Sequence, residues 1–144
     1  MTHSDLVDIA YKWVLKNAHC GVAAKEIRCI TMEQPDVIGF GSNGHSVMIE
    51  VKVSRADFLR DAKKLFRKHQ WMGVGSYRAY CCPTGLIKVE ELPDRWGLLY
   101  VNEKGKVKEL KSVVPPNTAL FLNPMDKNNA AERDIMYSIL RRNY

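Results

Sequence analysis

The sequence lacks several features that would assign it to a common class of protein. It has no run of about 18 apolar residues, so we expect no membrane-spanning helix. Residues 1–5 include neither a basic segment nor an apolar one, so no secretory signal is expected. No Gly-x-x-x-x-Gly-Lys or Gly-x-Gly-x-x-Gly loop occurs, which argues against the common nucleotide-phosphate sites.

Spacings typical of structural metal sites are also missing. The four cysteines include no Cys-x-x-Cys pair, and the four histidines are scattered, with none at a spacing typical of paired ligands. A zinc knuckle is therefore not expected. Small buried thiols are typical of proteins from a reducing compartment, so we predict a cytoplasmic protein.

The composition is that of one ordinary globular domain spanning residues 1–144. Hydrophobic residues make up 46% of the chain and charged residues 26%. Twenty-two Lys and Arg against 16 Asp and Glu give a net charge of +6, and the pI is near 9.2. This excess favours an anionic partner such as nucleic acid.

Apolar periodicity and turn residues predict alternating helices and strands. The first helix is predicted over 4–18, with Ser4 as its N-cap, and the second begins at Ser54 and continues to about residue 69. The last is predicted over 126–142, with Asp126 as its N-cap. Strands are predicted over 26–31, 36–40, 46–53, 77–82, 96–101 and 107–110. This order predicts an α/β fold in which a central mixed sheet carries helices on both faces.

The third predicted strand contains two charged residues in an otherwise valine-rich run. Glu50 and Lys52 are two residues apart, so their side chains lie on the same face of the strand. Burying either group alone would be costly. They therefore require each other, a metal ion or solvent.

The position of Asp36 relative to Glu50 depends on the turn that joins their strands. A two-residue Asn43-Gly44 loop would pair Val37 with Glu50 and send Asp36 to the opposite face. A three-residue loop that begins at Ser42, with Gly44 in the left-handed conformation, would pair Asp36 directly with Glu50. The sequence permits both registers, and we predict the three-residue loop.

In that register, two carboxylates and an ammonium group share one face, which is a set suited to phosphodiester hydrolysis. Mg²⁺ prefers carboxylate and carbonyl oxygens, so Asp36, Glu50 and the backbone carbonyl of Val51 are candidate ligands. Lys52 is placed to orient the attacking water or to neutralise charge at phosphorus. The alternative interpretation is a structural salt bridge between Glu50 and Lys52.

Two stretches resemble the core of the PD-(D/E)XK nuclease superfamily. They are residues 34–40 (Gln-Pro-Asp-Val-Ile-Gly-Phe) and 47–54 (Val-Met-Ile-Glu-Val-Lys-Val-Ser). Residues 50–61, 77–83 and 91–99 are similar to a group of bacterial and phage proteins regarded as DNA-repair or restriction-like nucleases. The resemblance covers about residues 25–110.

The resemblance implies a restriction-endonuclease-like fold and a DNA substrate. It also implies that Asp36 and Glu50 bind Mg²⁺ or Mn²⁺ and that Lys52 is the catalytic lysine. Many members carry an acidic residue on the first helix, for which Asp5 and Asp8 are the candidates here. Glu33 is a weaker candidate for an additional ligand.

A basic segment follows the lysine directly. Residues 52–69 contain seven Lys or Arg and two acids, so +5 of the net charge of +6 lies there. Such a helix releases counterions when it neutralises phosphates. The predicted DNA-binding residues are Arg55, Lys63, Lys64, Arg67 and Lys68. A solvated helix face with intrahelical ion pairs is the alternative.

These features together predict a metal-dependent DNA endonuclease that hydrolyses phosphodiester bonds. The alternative function is a DNA-binding module of the same fold that is non-catalytic or depends on a partner protein. A plain interaction domain is a third interpretation. A homodimer is possible if both strands of a duplex are cut.

Overall fold

A six-stranded mixed sheet forms the centre of the computed structural model, which describes residues 1–30, 33–120 and 122–142. Its strands are β1 (Val22–Lys25), β2 (Val37–Phe40), β3 (Ser46–Val51), β4 (Tyr77–Pro83), β5 (Gly97–Val101) and β6 (Val107–Lys111). They lie side by side in chain order. β4 is parallel to both β3 and β5, and the remaining neighbours are antiparallel.

Helices cover both faces of this sheet, as predicted. They are α1 (His3–Asn17), α2 (Arg55–Asp61), α3 (Leu65–Lys68) and α4 (Asn129–Arg142). Val14 of α1 packs in one core with Ile49 of β3. Phe58 of α2 and Ile135 of α4 pack in the other core, against alternate strand residues. The α/β class is therefore confirmed. Within the described ranges, no helix has the length and apolarity needed to cross a membrane.

The β2–β3 hairpin has the predicted three-residue loop. Gly41 and His45 pair across its base, where the amide of Gly41 donates to the carbonyl of His45 at 3.0 Å. Gly44 adopts φ +76°, the left-handed conformation that glycine accommodates without strain. Val37 then pairs with Ile49. The same register brings Asp36, just before β2, opposite Glu50.

The first predicted strand, 26–31, is wrong. The strand runs from Val22 to Lys25 instead, and Glu26 ends it with a left-handed φ of 48°. The amide of Glu26 donates to the carbonyl of Asp36 at 2.9 Å, so this residue turns the chain at the point where β2 approaches. Thr31, the last residue of the predicted strand, lies outside the described residues.

Two predicted helix caps are replaced by neighbouring residues. Thr2 rather than Ser4 caps α1, because the Thr2 hydroxyl accepts from the amide of Asp5 and the Asp5 carboxylate accepts from the amide of Thr2. The last helix begins at Asn129, and the side chain of Asn128, not Asp126, accepts from the amide of Ala131 at 2.9 Å. Each helix is therefore capped by a polar residue near the predicted one, Thr2 for α1 and Asn128 for α4.

The second helix is interrupted rather than continuous to about residue 69. Ser54 caps α2 as predicted, accepting from the amide of Asp57 at 3.2 Å. Lys64 then adopts an extended conformation, with φ −67° and ψ 144°, and a separate short helix follows. The break leaves Leu59 and Leu65 about half exposed, although their spacing would place both on the apolar face of one continuous helix. It also turns Arg67 toward the sheet.

Candidate active site

The carboxylates of Asp36 and Glu50 lie together where β2 begins and β3 ends. The amide of Val51 donates to Asp36 Oδ2 at 2.8 Å and holds this carboxylate against β3. Burial, followed by a hydrogen bond between the Glu50 and Asp36 carboxyls, raises the pKa of Glu50 well above its ordinary value, and Arg67 only partly opposes this. The predicted acidic pair is therefore present, and its surroundings disfavour the ionised form of Glu50.

Lys52 lies beside this pair but is directed at a further carboxylate that the sequence analysis did not identify. Its Nζ is 3.4 Å from Asp61 Oδ1, and the side chain is 10% exposed. Asp61, at the end of α2, is fully buried and accepts a hydrogen bond from the Tyr80 hydroxyl. Burial raises the pKa of Asp61, but the Arg67 charge and the Tyr80 hydrogen bond outweigh it, and the pKa is lowered overall.

Arg67 is part of this interior cluster, so its assignment to an exposed DNA-binding face is wrong. Its side chain is only 1% exposed, and its guanidinium binds the carboxylates of Glu33, Glu50 and Asp61. The guanidinium also stacks on the ring of Trp96, 4.9 Å from the ring centroid. Burial by itself lowers the pKa of Arg67, but the three carboxylates outweigh it, and the pKa is raised above its ordinary value.

Four acids are buried close together in this cluster, namely Glu33, Asp36, Glu50 and Asp61. Lys52, Lys64 and Arg67 are at ion-pair distance from members of the cluster, and the buried Arg78 interacts electrostatically with Glu33. Asp61 Oδ1 makes no hydrogen bond, although two lysine ammonium groups lie 3.4 Å away. Protonation of Glu50 or binding of a cation between Asp36 and Glu50 would reduce the repulsion between these two carboxylates.

The donor types suit a divalent cation. Mg²⁺ takes carboxylate oxygens at about 2.1 Å, and Asp36, directly before β2, and Glu50, on the neighbouring β3, supply two carboxylates. The structure places the amide of Val51 on Asp36, and the role of the Val51 carbonyl as a ligand stays a prediction. Glu33 is used otherwise, because it binds Arg67 and accepts from the amide of Val74 at 3.0 Å.

A pocket of about 300 Å³ opens directly over Glu50. Its walls contain an amide, a lysine and two apolar side chains, contributed by Gln34, Lys64, Leu65 and Phe66. Pockets of this size are at the lower end of the range that holds small ligands. Glu50 is thus buried among charged groups and still lines a space of the size that holds a small ligand.

The first helix contributes a histidine rather than one of the predicted acids. Asp5 caps α1, and Asp8 is paired with Lys25 at 2.9 Å. His3 instead lies 3.5 Å from Asp36, measured from Nε2 to Oδ2, and Glu26 lies on its other side. Sequence reasoning missed His3 and Glu26, because both are distant in sequence from the acidic pair and belong to no spacing motif.

Fewer basic side chains are both exposed and unpaired than the seven Lys and Arg of residues 52–69 would allow. Arg55 makes a bidentate ion pair with Glu91, at 2.6 and 2.7 Å, and Arg60 is paired with Asp57. Lys64 is half exposed and stands 3.4 Å from Asp61. Lys63 and Lys68 are exposed, and within residues 1–30, 33–120 and 122–142 no carboxylate lies at ion-pair distance from either.

The comparisons with known proteins bear on the fold alone. No protein-family model and no curated protein matches this sequence. Among solved structures, the chain is similar to the SPO1766 protein of unknown function from Silicibacter pomeroyi, with a TM-score of 0.66 and 20% sequence identity. The alignment covers 99% of this chain and 89% of that one. The neighbour therefore shares the overall architecture and gives no activity.

Proposed function

We propose that this protein is a metal-dependent nuclease with a restriction-endonuclease-like fold, which hydrolyses phosphodiester bonds of DNA. The observation that carries the proposal is the β2–β3 register, which sets Asp36 opposite Glu50, and Glu50 lines a pocket. Lys52, two residues beyond Glu50, supplies a cation within the same buried cluster. The resemblance of residues 34–40 and 47–54 to PD-(D/E)XK nucleases supports the same assignment.

Each charged group of the site has a distinct task in this proposal. Asp36 and Glu50 hold the divalent cation, which when bound polarises a phosphate oxygen and acidifies water. The Val51 amide orients Asp36, and Arg67 orients Glu50. Lys52 stabilises the negative charge that develops on the phosphate during attack. Asp61 positions Lys52 through their ion pair.

Cleavage of DNA by the purified chain in Mg²⁺ or Mn²⁺ tests this proposal. Lys52→Gln should slow cleavage by about a hundredfold or more, because it removes charge stabilisation in the transition state. Lys104→Gln is the matched control, since Lys104 is an exposed lysine in the turn between β5 and β6, and it should cleave at nearly the wild-type rate. Equal rates for wild type and Lys52→Gln would exclude the mechanism.

The second candidate function is a DNA-binding module without turnover. One observation favours it: the two groups that a nuclease would use are already paired within the protein, Glu50 with Arg67 and Lys52 with Asp61. Such a module would retard DNA in a gel without a metal ion and would yield no product in Mg²⁺ or Mn²⁺. Product formation that requires Lys52 decides in favour of the nuclease.

A further inference from the structure

Three separate segments of the chain bring His3 and Glu26 next to Asp36. His3 lies in the first turn of α1, Glu26 directly follows β1, and Asp36 directly precedes β2. The hydrogen bond from the Glu26 amide to the Asp36 carbonyl, at 2.9 Å, fixes two of these segments to each other. The backbone therefore fixes the positions of Glu26 and Asp36 relative to each other.

Their donor atoms are spaced as metal ligands are. One ligand atom from each of His3, Glu26 and Asp36 lies within 4.8 Å of the other two. With bonds of about 2.0–2.2 Å to nitrogen and oxygen, ligands on opposite sides of an ion are separated by about 4 Å. Small side-chain rotations would therefore bring all three donors into bonding distance of one ion.

Direct pairing does not account for these contacts. His3 Nε2 is 3.5 Å from Asp36 and His3 Nδ1 is 3.9 Å from Glu26, so neither contact is a hydrogen bond. The side chains of His3 and Glu26 are 40% and 54% exposed. An ion pair between side chains so accessible to solvent contributes little to stability. Lys25, the nearby cation, is 2.9 Å from Asp8 instead.

We infer that His3, Glu26 and Asp36 form a second cation site, which takes imidazole-accepting divalent metals such as Zn²⁺, Co²⁺ or Mn²⁺ in preference to Mg²⁺. An imidazole nitrogen suits these transition metals, whereas Mg²⁺ prefers an all-oxygen set. Waters complete the coordination, because His3 and Glu26 face solvent. The site shares Asp36 with the proposed nuclease centre and does not depend on nuclease activity.

Sharing one carboxylate gives the two sites different requirements, which the experiment uses. The second site needs His3 and Glu26, whereas the acidic pair needs Glu50. His3 and Glu26 are partly exposed, so their replacement leaves the buried cluster around Arg67 intact. Asp36 is common to both sites, and its replacement by Asn should weaken both.

Titration of the full-length protein with Co²⁺, followed by its visible absorption and by calorimetry, tests the inference without any activity assay. His3→Gln and Glu26→Gln should each weaken Co²⁺ binding by about tenfold or more. Glu50→Gln should retain the Co²⁺ absorption that depends on His3, because Glu50 belongs to the acidic pair and not to this site. Mg²⁺, titrated in place of Co²⁺, should show no dependence on His3.

Two results would overturn the inference. One is Co²⁺ binding by His3→Gln with wild-type affinity, and the other is a loss in Glu50→Gln as large as that in His3→Gln, which would put the ion on the acidic pair. The variants' thermal midpoints without metal serve as the folding control. Titration with Zn²⁺ in an NMR experiment gives a second readout, because the imidazole resonances absent from His3→Gln should be the ones that shift.

Failure of the nuclease proposal would leave a different signature. A protein that binds Co²⁺ through His3 and cuts no DNA retains this site and loses the proposed activity. A protein that cuts DNA in Mg²⁺, at a rate unaffected by His3→Gln, and binds Co²⁺ independently of His3 retains the activity and loses this site.

Discussion

Arg67 and Glu50, 17 positions apart in the sequence, form an ion pair in the protein interior. The sequence pattern placed the arginine on a solvent-facing basic helix and the glutamate in a metal site. Their contact joins the two features into one unit, because the arginine supplies the positive charge that lets Glu50 and its neighbouring acids remain buried. The basic segment thus contributes to the stability of the acidic site as well as to the surface charge.

Replacement of Arg67 should destabilise the protein severely. Arg67→Met removes the guanidinium that binds three buried carboxylates, and breaking a buried ion pair from one side costs about 3–5 kcal/mol. Urea denaturation at neutral pH measures the effect. The control is Lys68→Met, which changes an exposed neighbour of the same charge and should alter the unfolding free energy by less than about 0.5 kcal/mol. Similar losses for both variants would contradict the cluster.

Replacement of Glu50 should have the opposite effect on stability. The pKa of Glu50 is raised by burial and by the adjacent Asp36, so its ionised form is disfavoured in the folded state. The wild type therefore loses stability as the pH rises from the ordinary value of 4.5 through the raised pKa. Glu50→Gln lacks this loss, and in a chelating buffer it should be more stable than wild type at neutral pH.

The pH dependence separates this effect from a simple change in packing. The stability difference between Glu50→Gln and wild type should disappear as the pH falls toward 4.5. At that pH wild-type Glu50 is protonated in the folded state, so burying it no longer carries the cost of a buried charge. Glu90→Gln, which removes an exposed carboxylate, should follow the wild-type profile throughout. A constant difference between Glu50→Gln and wild type at all pH values would show that ionisation is not its cause.

The local features of the hairpin could be predicted because their causes are local. A glycine at position 44 and two strands of fixed period limit the hairpin to two registers, and the structure has the predicted one, in which Asp36 lies opposite Glu50. The same period placed Lys52 on the face of Glu50. These relationships depend on residues within about one hairpin, where sequence spacing and spatial distance agree.

The remainder of the site depends on tertiary contacts that no period encodes. The break at Lys64 opposes the apolar pattern, and its gain is the burial of Arg67 against acids from three separate segments. Asp61 lies within the basic segment 52–69 and is nevertheless fully buried. His3 reaches Asp36 because α1 packs against β1 and β2. In each case tertiary contacts, which the local pattern does not encode, decide where the side chain lies.

Divalent cations should stabilise the folded protein. A ligand that binds only the folded state adds about 2.7 kcal/mol at a hundred times its Kd, so Mg²⁺ or Mn²⁺ should raise the thermal midpoint. Asp36→Asn should abolish this shift, because it removes a charged ligand while its side-chain oxygen can still accept from the Val51 amide. Glu90→Gln should retain the full shift. An equal shift in Asp36→Asn would place the ion elsewhere.

DNA affinity should depend on the lysines that the protein leaves available. Lys63 and Lys68 are exposed, whereas Arg55 and Arg60 are engaged by Glu91 and Asp57. If Lys63 and Lys68 each contact a phosphate, replacing both by Gln reduces the slope of log K against log salt by about 1.8, because each phosphate contact contributes about 0.9. Binding titrations on one duplex at several salt concentrations measure this slope.

The matched control makes the same change of charge on another part of the protein. Lys104 and Lys106 are exposed in the turn between β5 and β6, at the edge of the sheet opposite β1. Replacing both by Gln lowers the net charge by the same amount and should leave the slope nearly unchanged. If the two double variants reduce the slope equally, DNA binding depends on net charge alone. A specific interface formed by Lys63 and Lys68 requires the two reductions to differ.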